Sequence, residues 1–221
     1  VYKRQETYYQ DVTDVGSILA SNNSLNGLPI LLIGGRNEED ILAGNIGQLI
    51  VMFSSNINIH NAHIATDTRH LNIRYPVWIF KSRNISLLGI SADENIRVED
   101  FMKIKYSENI EIKNAQLVLD DSSWTWIEIR NSGNVTIKES TMIHKEYGHG
   151  IVAYDTRNLI IEGNVIINAS YDIIDLTRVE GVVIRDNHIE TYDTSAIYVY
   201  EGIGVSIEDN TITTSVCILP R

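Results

Sequence analysis

The sequence predicts an all-β protein, a parallel β-solenoid of at least seven coils. Two observations carry that prediction: a repeat of 23 to 28 residues, and a fixed set of apolar offsets inside every copy. The copies are SSNINIHNAHI, SRNISLLGI, SENIEIKNAQL, SGNVTIKESTMI, TRNLIIEGNVI, VEGVVIRDNHI and GIGVSIEDNTI, anchored at Asn56, Asn84, Asn109, Asn134, Asn158, Gly181 and Gly204. Counted from each anchor, offsets −7, −5, +1, +3 and +8 are apolar in all 35 cases, from Leu49, Val51, Ile57, Ile59 and Ile64 to Ile197, Val199, Val205, Ile207 and Ile212. Side chains alternate with period two along a strand, so short strands flanking a turn would point these positions inward. With 43% apolar residues in the chain, chance does not produce this pattern. A helical repeat would need spacings of three and four. One coil is too short to bury its own apolar face, so the coils must stack at about 4.8 Å.

Taken in chain order, the first segment is VYKRQ, which matches nothing in the repeat and reads as a tail. DVTDVGSILASN follows, with Val12, Val15, Ile18 and Leu19 at helical spacing after polar starters, and predicts a short helix capping the open end of the solenoid. LPILLIGG reads as a lead-in strand joining the first coil, with Gly34 and Gly35 as its turn. The cap and lead-in occupy residues 1–44, the solenoid 45–213, and a tail 214–221. No matching cap follows Ile212, so continuation into further coils or domains of a parent chain, or a covering partner, is expected there.

The anchors are Asn or Gly because a sharp bend between strands needs the left-handed backbone region, which these two residues enter most cheaply. Stacked Asn side chains can also bond to one another up the column. A second such column is predicted at Asn164, Asn187 and Asn210.

These coils resemble the right-handed parallel β-helix repeat proteins, the pectin-lyase-like superfamily, across residues 45–213. The resemblance implies the hand of the coil. It also implies a protein that handles polysaccharide at the cell surface or outside the cell. It does not select an activity, because the fold hosts lyases, hydrolases, epimerases, tailspikes and adhesins.

Bulk chemistry narrows the partners. With 29 acidic and 18 basic residues the net charge is −11, which argues against nucleic acid or an anionic membrane held by bulk electrostatics. No apolar run is long enough to span a bilayer. The single Cys217 makes no internal disulfide.

Function would sit on the outward face of the strand before each anchor. Two ladders are predicted there: Trp78, Lys103, Glu128, Val152, Asp175, Tyr198, and Phe80, Lys105, Arg130, Tyr154, Thr177, Tyr200. Aromatic rings suit stacking against sugars, and Lys103, Lys105 and Arg130 form a basic island able to hold acidic groups of a glycan. The bland alternative is a ladder of inter-coil ion pairs. One column further out stand Asp100, Thr125, His149 and Asp172. His149 and Asp172 are stacked neighbours whose side chains could share a hydrogen bond and serve as acid or base. The alternative is a turn histidine between two glycines.

The tripeptide Gly148-His149-Gly150 stands where β-helical polygalacturonases carry theirs, and Asp100 falls in the column of an Asp in that family's NTD motif. The family's paired aspartates would fall on Trp124 and Thr125, whereas Asp120 and Asp121 come four residues early; its RIK motif would fall on Asp175, Leu176 and Thr177. That mechanism therefore does not transfer. A more general hydrolase would use Glu128 and Asp175, two coils apart and so about 9 to 10 Å between Cα atoms, near the spacing of inverting glycosidases. A lyase would use Lys103, Lys105, Arg130 or His149 as base. Lyases of this fold often use calcium, but no cluster of three carboxylates stands on this face, so the sequence supports no cofactor and leaves calcium open.

The sequence reading is thus a polysaccharide hydrolase or lyase, with His149, Asp172, Asp175 and Glu128 as catalytic candidates and Lys103, Lys105, Arg130, Tyr154, Trp78, Tyr198 and Tyr200 as substrate contacts. Its rival is a non-catalytic glycan-binding or structural surface solenoid. Catalysis predicts overhanging loops and a groove of converging polar groups; the rival predicts charges that pair with one another.

Overall fold

The computed structural model describes residues 24–25, 27–65, 75–93, 96, 98, 100–119, 125–144, 148–169, 171–191 and 195–214. The segment expected to form a capping helix lies outside them, as do Asp120, Asp121 and Trp124. Every regular element among the described residues is a β-strand, and all pairings are parallel except that of Ser24–Leu25 with Leu28–Gly34.

Each repeat forms one rung. The strands Asp100–Lys105, Thr125–Arg130, His149–Glu162, Ile174–Arg185 and Ile197–Glu208 stack in register, with Met102 beside Ile127, Ile127 beside Ile151, Ile151 beside Ile174 and Ile174 beside Ile197. The predicted inward positions are buried in one continuous core, apart from half-buried Ala92 and the five of the last repeat. There Val199, Ile207 and Ile212 are 37%, 49% and 44% exposed, since no rung of the described chain stacks on them. Burial of an Ile or Leu contributes about 1.5–3 kcal/mol, so the middle rungs gain most.

The repeat search stops one rung short. Leu28–Gly34 pairs with Gln48–Met52, and Asn37–Ile46 pairs with Ser55–Ile64, making a further rung below the first repeat. Its anchor position holds Glu38 at φ 61°, with Glu39 in register beside Ile57. Two glutamates where the other copies have Asn and an apolar residue hide this rung from the pattern.

The corners follow the anchor chemistry. Asn56, Asn84, Asn109, Asn134 and Asn158 have φ between 50° and 55°, and Gly181 and Gly204 have φ near 65°. Each Asn amide donates to the Oδ1 of the Asn one rung below, at 2.7–2.9 Å from Asn84 to Asn158. The second column also bonds, Asn164 to Asn187 at 3.0 Å and Asn187 to Asn210 at 2.9 Å. A third column passed unnoticed in the sequence: the hydroxyls of Ser82, Ser107 and Ser132 each accept from the backbone N–H of Ser54, Ser82 and Ser107 at 3.1–3.2 Å. These serines satisfy buried backbone donors at the corner, where no ladder bond is available.

Candidate functional site

Both outward ladders form as the period-two reading places them. Trp78, Lys103, Glu128, Val152, Asp175 and Tyr198 are successive register partners, as are Phe80, Lys105, Arg130, Tyr154, Thr177 and Tyr200. The column Asp100, Thr125, His149 is likewise in register.

At the centre of the face the charges hold one another. Lys103 Nζ pairs with Glu128 Oε2, and Arg130 Nε donates to Glu128 Oε1. Lys103 also donates to the Tyr75 hydroxyl at 3.0 Å, lies 4.3 Å from the centre of that ring, and is 3.9 Å from Asp100 Oδ2. The Arg130 guanidinium lies 4.4 Å from the centre of the Tyr154 ring. The side chains of Lys103 and Glu128 are only 15% and 6% exposed. Lys105 leaves this cluster: its ammonium sits 4.9 Å from the Tyr106 ring at the next corner.

Environment separates the two neighbouring carboxyls. Burial, then the Glu128 charge, pushes Asp100 up to about 6, against the pull of Lys103 and a hydrogen bond from Thr125. Burial would also raise Glu128, but hydrogen bonds and charge from Lys103 and Arg130 overcome it and hold the group below the usual carboxylate range. Asp100 is absent from the four catalytic candidates; its signal was its place in the His149 column.

His149 lies one rung beyond Glu128, and Asp172 and Asp175 one rung further. The bond expected between the His149 and Asp172 side chains is absent: His149 Nδ1 lies 3.3 Å from the backbone carbonyl of Asp172. The ring stacks on Tyr171 with centroids 5.1 Å apart and planes 19° apart. Asp175 is raised by burial and by Asp172, against the pull of His149, and its Oδ1 is buried without a hydrogen-bond partner among the described residues. The glycine after His149 has a packing reason. A Cβ on Gly150 would lie 2.2 Å from the Ile173 carbonyl oxygen and 3.1 Å from Trp126 Cζ3, and Trp126 and Ile173 are fully buried.

Aromatic rings flank the charged centre. Toward the N-terminal rungs Tyr75, Trp78 and Phe80 follow one another at 6.3 and 5.5 Å between centroids. Toward the C-terminal end Tyr198 and Tyr200 are 44% and 51% exposed. Among the described residues no three His, Cys, Asp or Glu side chains are grouped to hold a metal ion. His60 instead pairs with Asp40 at 2.6 Å, and His63 with Asp93 at 3.0 Å.

This succession of in-register parallel rungs with Asn and Gly corners finds its counterpart in known proteins. The family described as the right handed beta helix region matches residues 125–216. The chain is a right-handed parallel β-helix. A surface adhesin of Streptococcus pneumoniae, PfbA, superposes on this β-helix with a TM-score of 0.56 at 15% identity, over 89% of this chain and 62% of that one. The A-module of a mannuronan C-5 epimerase of Azotobacter vinelandii gives 0.45 at 8% identity, over 82% and 63%. A tailspike of E. coli bacteriophage HK620, in complex with a hexasaccharide, gives 0.44 at 11% identity, over 83% and 45%. The β-helix spans less than two thirds of the adhesin it matches. No curated protein sequence matches it.

Proposed function

We propose that this β-helix binds polysaccharide along the ladder face and does so as a surface or extracellular recognition module rather than a hydrolase or lyase. The observation that carries the reading is that Glu128, nearly buried at the centre of the face, is tied to both Lys103 and Arg130. A carboxylate tied to two cations is a poor proton donor or nucleophile, and a paired lysine is a poor base. What the face offers a ligand is its rings, with Trp78 and Phe80 before the pair, Tyr154 beside it, and Tyr198 and Tyr200 beyond it. An adhesin among the structures of this fold agrees with such a role.

One observation favours a second reading. Asp100 titrates at about 6 while Glu128 beside it is held low, the split between an acid and an ionised partner seen in glycosidases. In that reading Asp100 is the acid, and Asp175 or His149 serves the far side.

A panel of polysaccharides tested for binding, for new reducing ends and for unsaturated uronate absorbance separates the two. Retention of a polysaccharide, weakened by Tyr154→Ala and Tyr200→Ala, with no product formed, is the expected result. Turnover abolished by Asp100→Asn or Asp175→Ala would replace it with the hydrolase or lyase reading. Failure to retain any polysaccharide would end both.

A further inference from the structure

Beside the ladder face, at the corner three residues before each anchor, lies a groove of about 370 Å³ lined by Phe53, Lys81, Arg83, Tyr106 and Glu108 and by three serines. None of these residues belongs to the ladders. The groove is nevertheless continuous with them through Phe80, whose ring meets Phe53 at 5.7 Å and Tyr106 at 5.9 Å, both edge to face.

Its charge is unlike that of the rest of the molecule. Lys81 lies 5.7 Å from the Phe53 ring centre and 5.4 Å from that of Phe80, and neither Lys81 nor Arg83 has a carboxylate partner among the described residues. Lys105 stands over Tyr106 on the same side. The one acid in the lining, Glu108, is already held by Arg157 and by the Asn134 amide. Elsewhere among the described residues cations pair with carboxylates: Lys113 with Glu139, Lys138 with Glu111, Arg178 with Asp155, Arg185 with Glu162. In a protein of net charge −11, unpaired cations gathered at one groove mark a place for an anion.

The residue types at the corner give a second indication. This corner takes the left-handed region on every rung, and further along it is occupied by Asn131, Asp155, Arg178 and Glu201. In the groove the same positions hold Phe53 at φ 51°, Lys81 at φ 47° and Tyr106 at φ 54°. Among the described rungs, aromatic rings stand at this corner only in the groove, at Phe53 and Tyr106. Two rings facing a groove under cationic side chains suit a sugar ring carrying negative charge, with stacking from the rings and ion pairing from the cations.

We propose that this corner groove is a saccharide site distinct from the ladder face, taking a sugar that bears a carboxylate or a sulfate. The proposal deepens the polysaccharide-binding reading and rests on it.

Isothermal titration with oligogalacturonate, its methyl ester, dextran sulfate and neutral dextran tests it. The variants are Lys81→Gln with Arg83→Gln, and Lys138→Gln as a distant control. We expect oligogalacturonate or dextran sulfate to bind more tightly than its uncharged counterpart, with an affinity that falls as salt rises. Which of the two binds assigns carboxylate or sulfate. The double variant should weaken that binding about tenfold, with the control and the neutral probe unchanged and circular dichroism preserved. Charged and neutral probes binding equally, or the double variant matching wild type, would overturn the groove site while leaving the ladder reading intact. No binding of any probe or of the wider polysaccharide panel would overturn both.

Discussion

Lys103 and Glu128 face each other from adjacent rungs as a nearly buried ion pair, and Arg130 closes on the same carboxylate from its own rung. The arrangement turns the most chemically active stretch of the ladder into an internal structural joint.

Removing one member should therefore cost more than an ordinary surface pair. Glu128→Gln leaves Lys103 without its main counter-charge and is expected to destabilise the fold by about 3 kcal/mol, whereas Lys103→Met with Glu128→Met recovers most of the loss. Urea midpoints measure both; a Glu128→Gln midpoint equal to wild type would show the pair to be an inert surface contact.

Asp100 gives a pH signature of definite sign. Its folded pKa of about 6 lies above the ordinary 3.8, so the folded state binds the extra proton between those values. Its stabilising contribution is complete below about 4 and disappears as pH rises through 6. The stability difference between wild type and Asp100→Asn should accordingly shift against wild type from pH 4 to pH 7. A difference that stays constant over that range would mean that Asp100 is not desolvated.

Within the tripeptide 148–150 the second glycine and the histidine should separate cleanly. Gly150→Ala drives a methyl group into the Ile173 carbonyl, a backbone clash expected to cost about 3 kcal/mol or more. His149→Ala, on a half-buried ring stacked on exposed Tyr171, should cost less than about 1 kcal/mol. Thermal melts of the two proteins decide the matter, and similar melting temperatures would contradict it.

The Asn column should respond to backbone geometry as well as to hydrogen bonds. Asn134→Ala places a Cβ residue without a polar side chain at φ 51° and interrupts the bonds to Asn109 and Asn158. A loss of about 1–2 kcal/mol is expected. Asn134→Gly loses the same bonds but keeps the conformation, as Gly181 and Gly204 do, and should lie between the two. An order in which Gly is worse than Ala would make the left-handed corner irrelevant.

Much of the architecture was legible in the chain because the rules that build it are local. Period-two alternation selects which side chains enter the core, and the left-handed corner selects Asn or Gly, so Ile57, Ile110 and Ile184 could be placed inside without coordinates. The rung at Leu28–Ile46 escaped because Glu38 and Glu39 occupy positions whose chemistry carried the pattern. The fully buried Trp126 and Phe101 escaped because the corner turns their side chains toward the core, although strict alternation would send them outward.

By itself, then, the sequence determined the stack: its fold, its register and the membership of both outward ladders. Only the tertiary structure decided what those ladder residues do. Long polar side chains reach one rung up, one down or around a corner at similar cost, and neighbouring fields select among these. That choice joined Lys103 to Glu128, sent Lys105 to Tyr106, and left Lys81 and Arg83 without an ion-pair partner among the described residues, beside a groove that no single repeat contains.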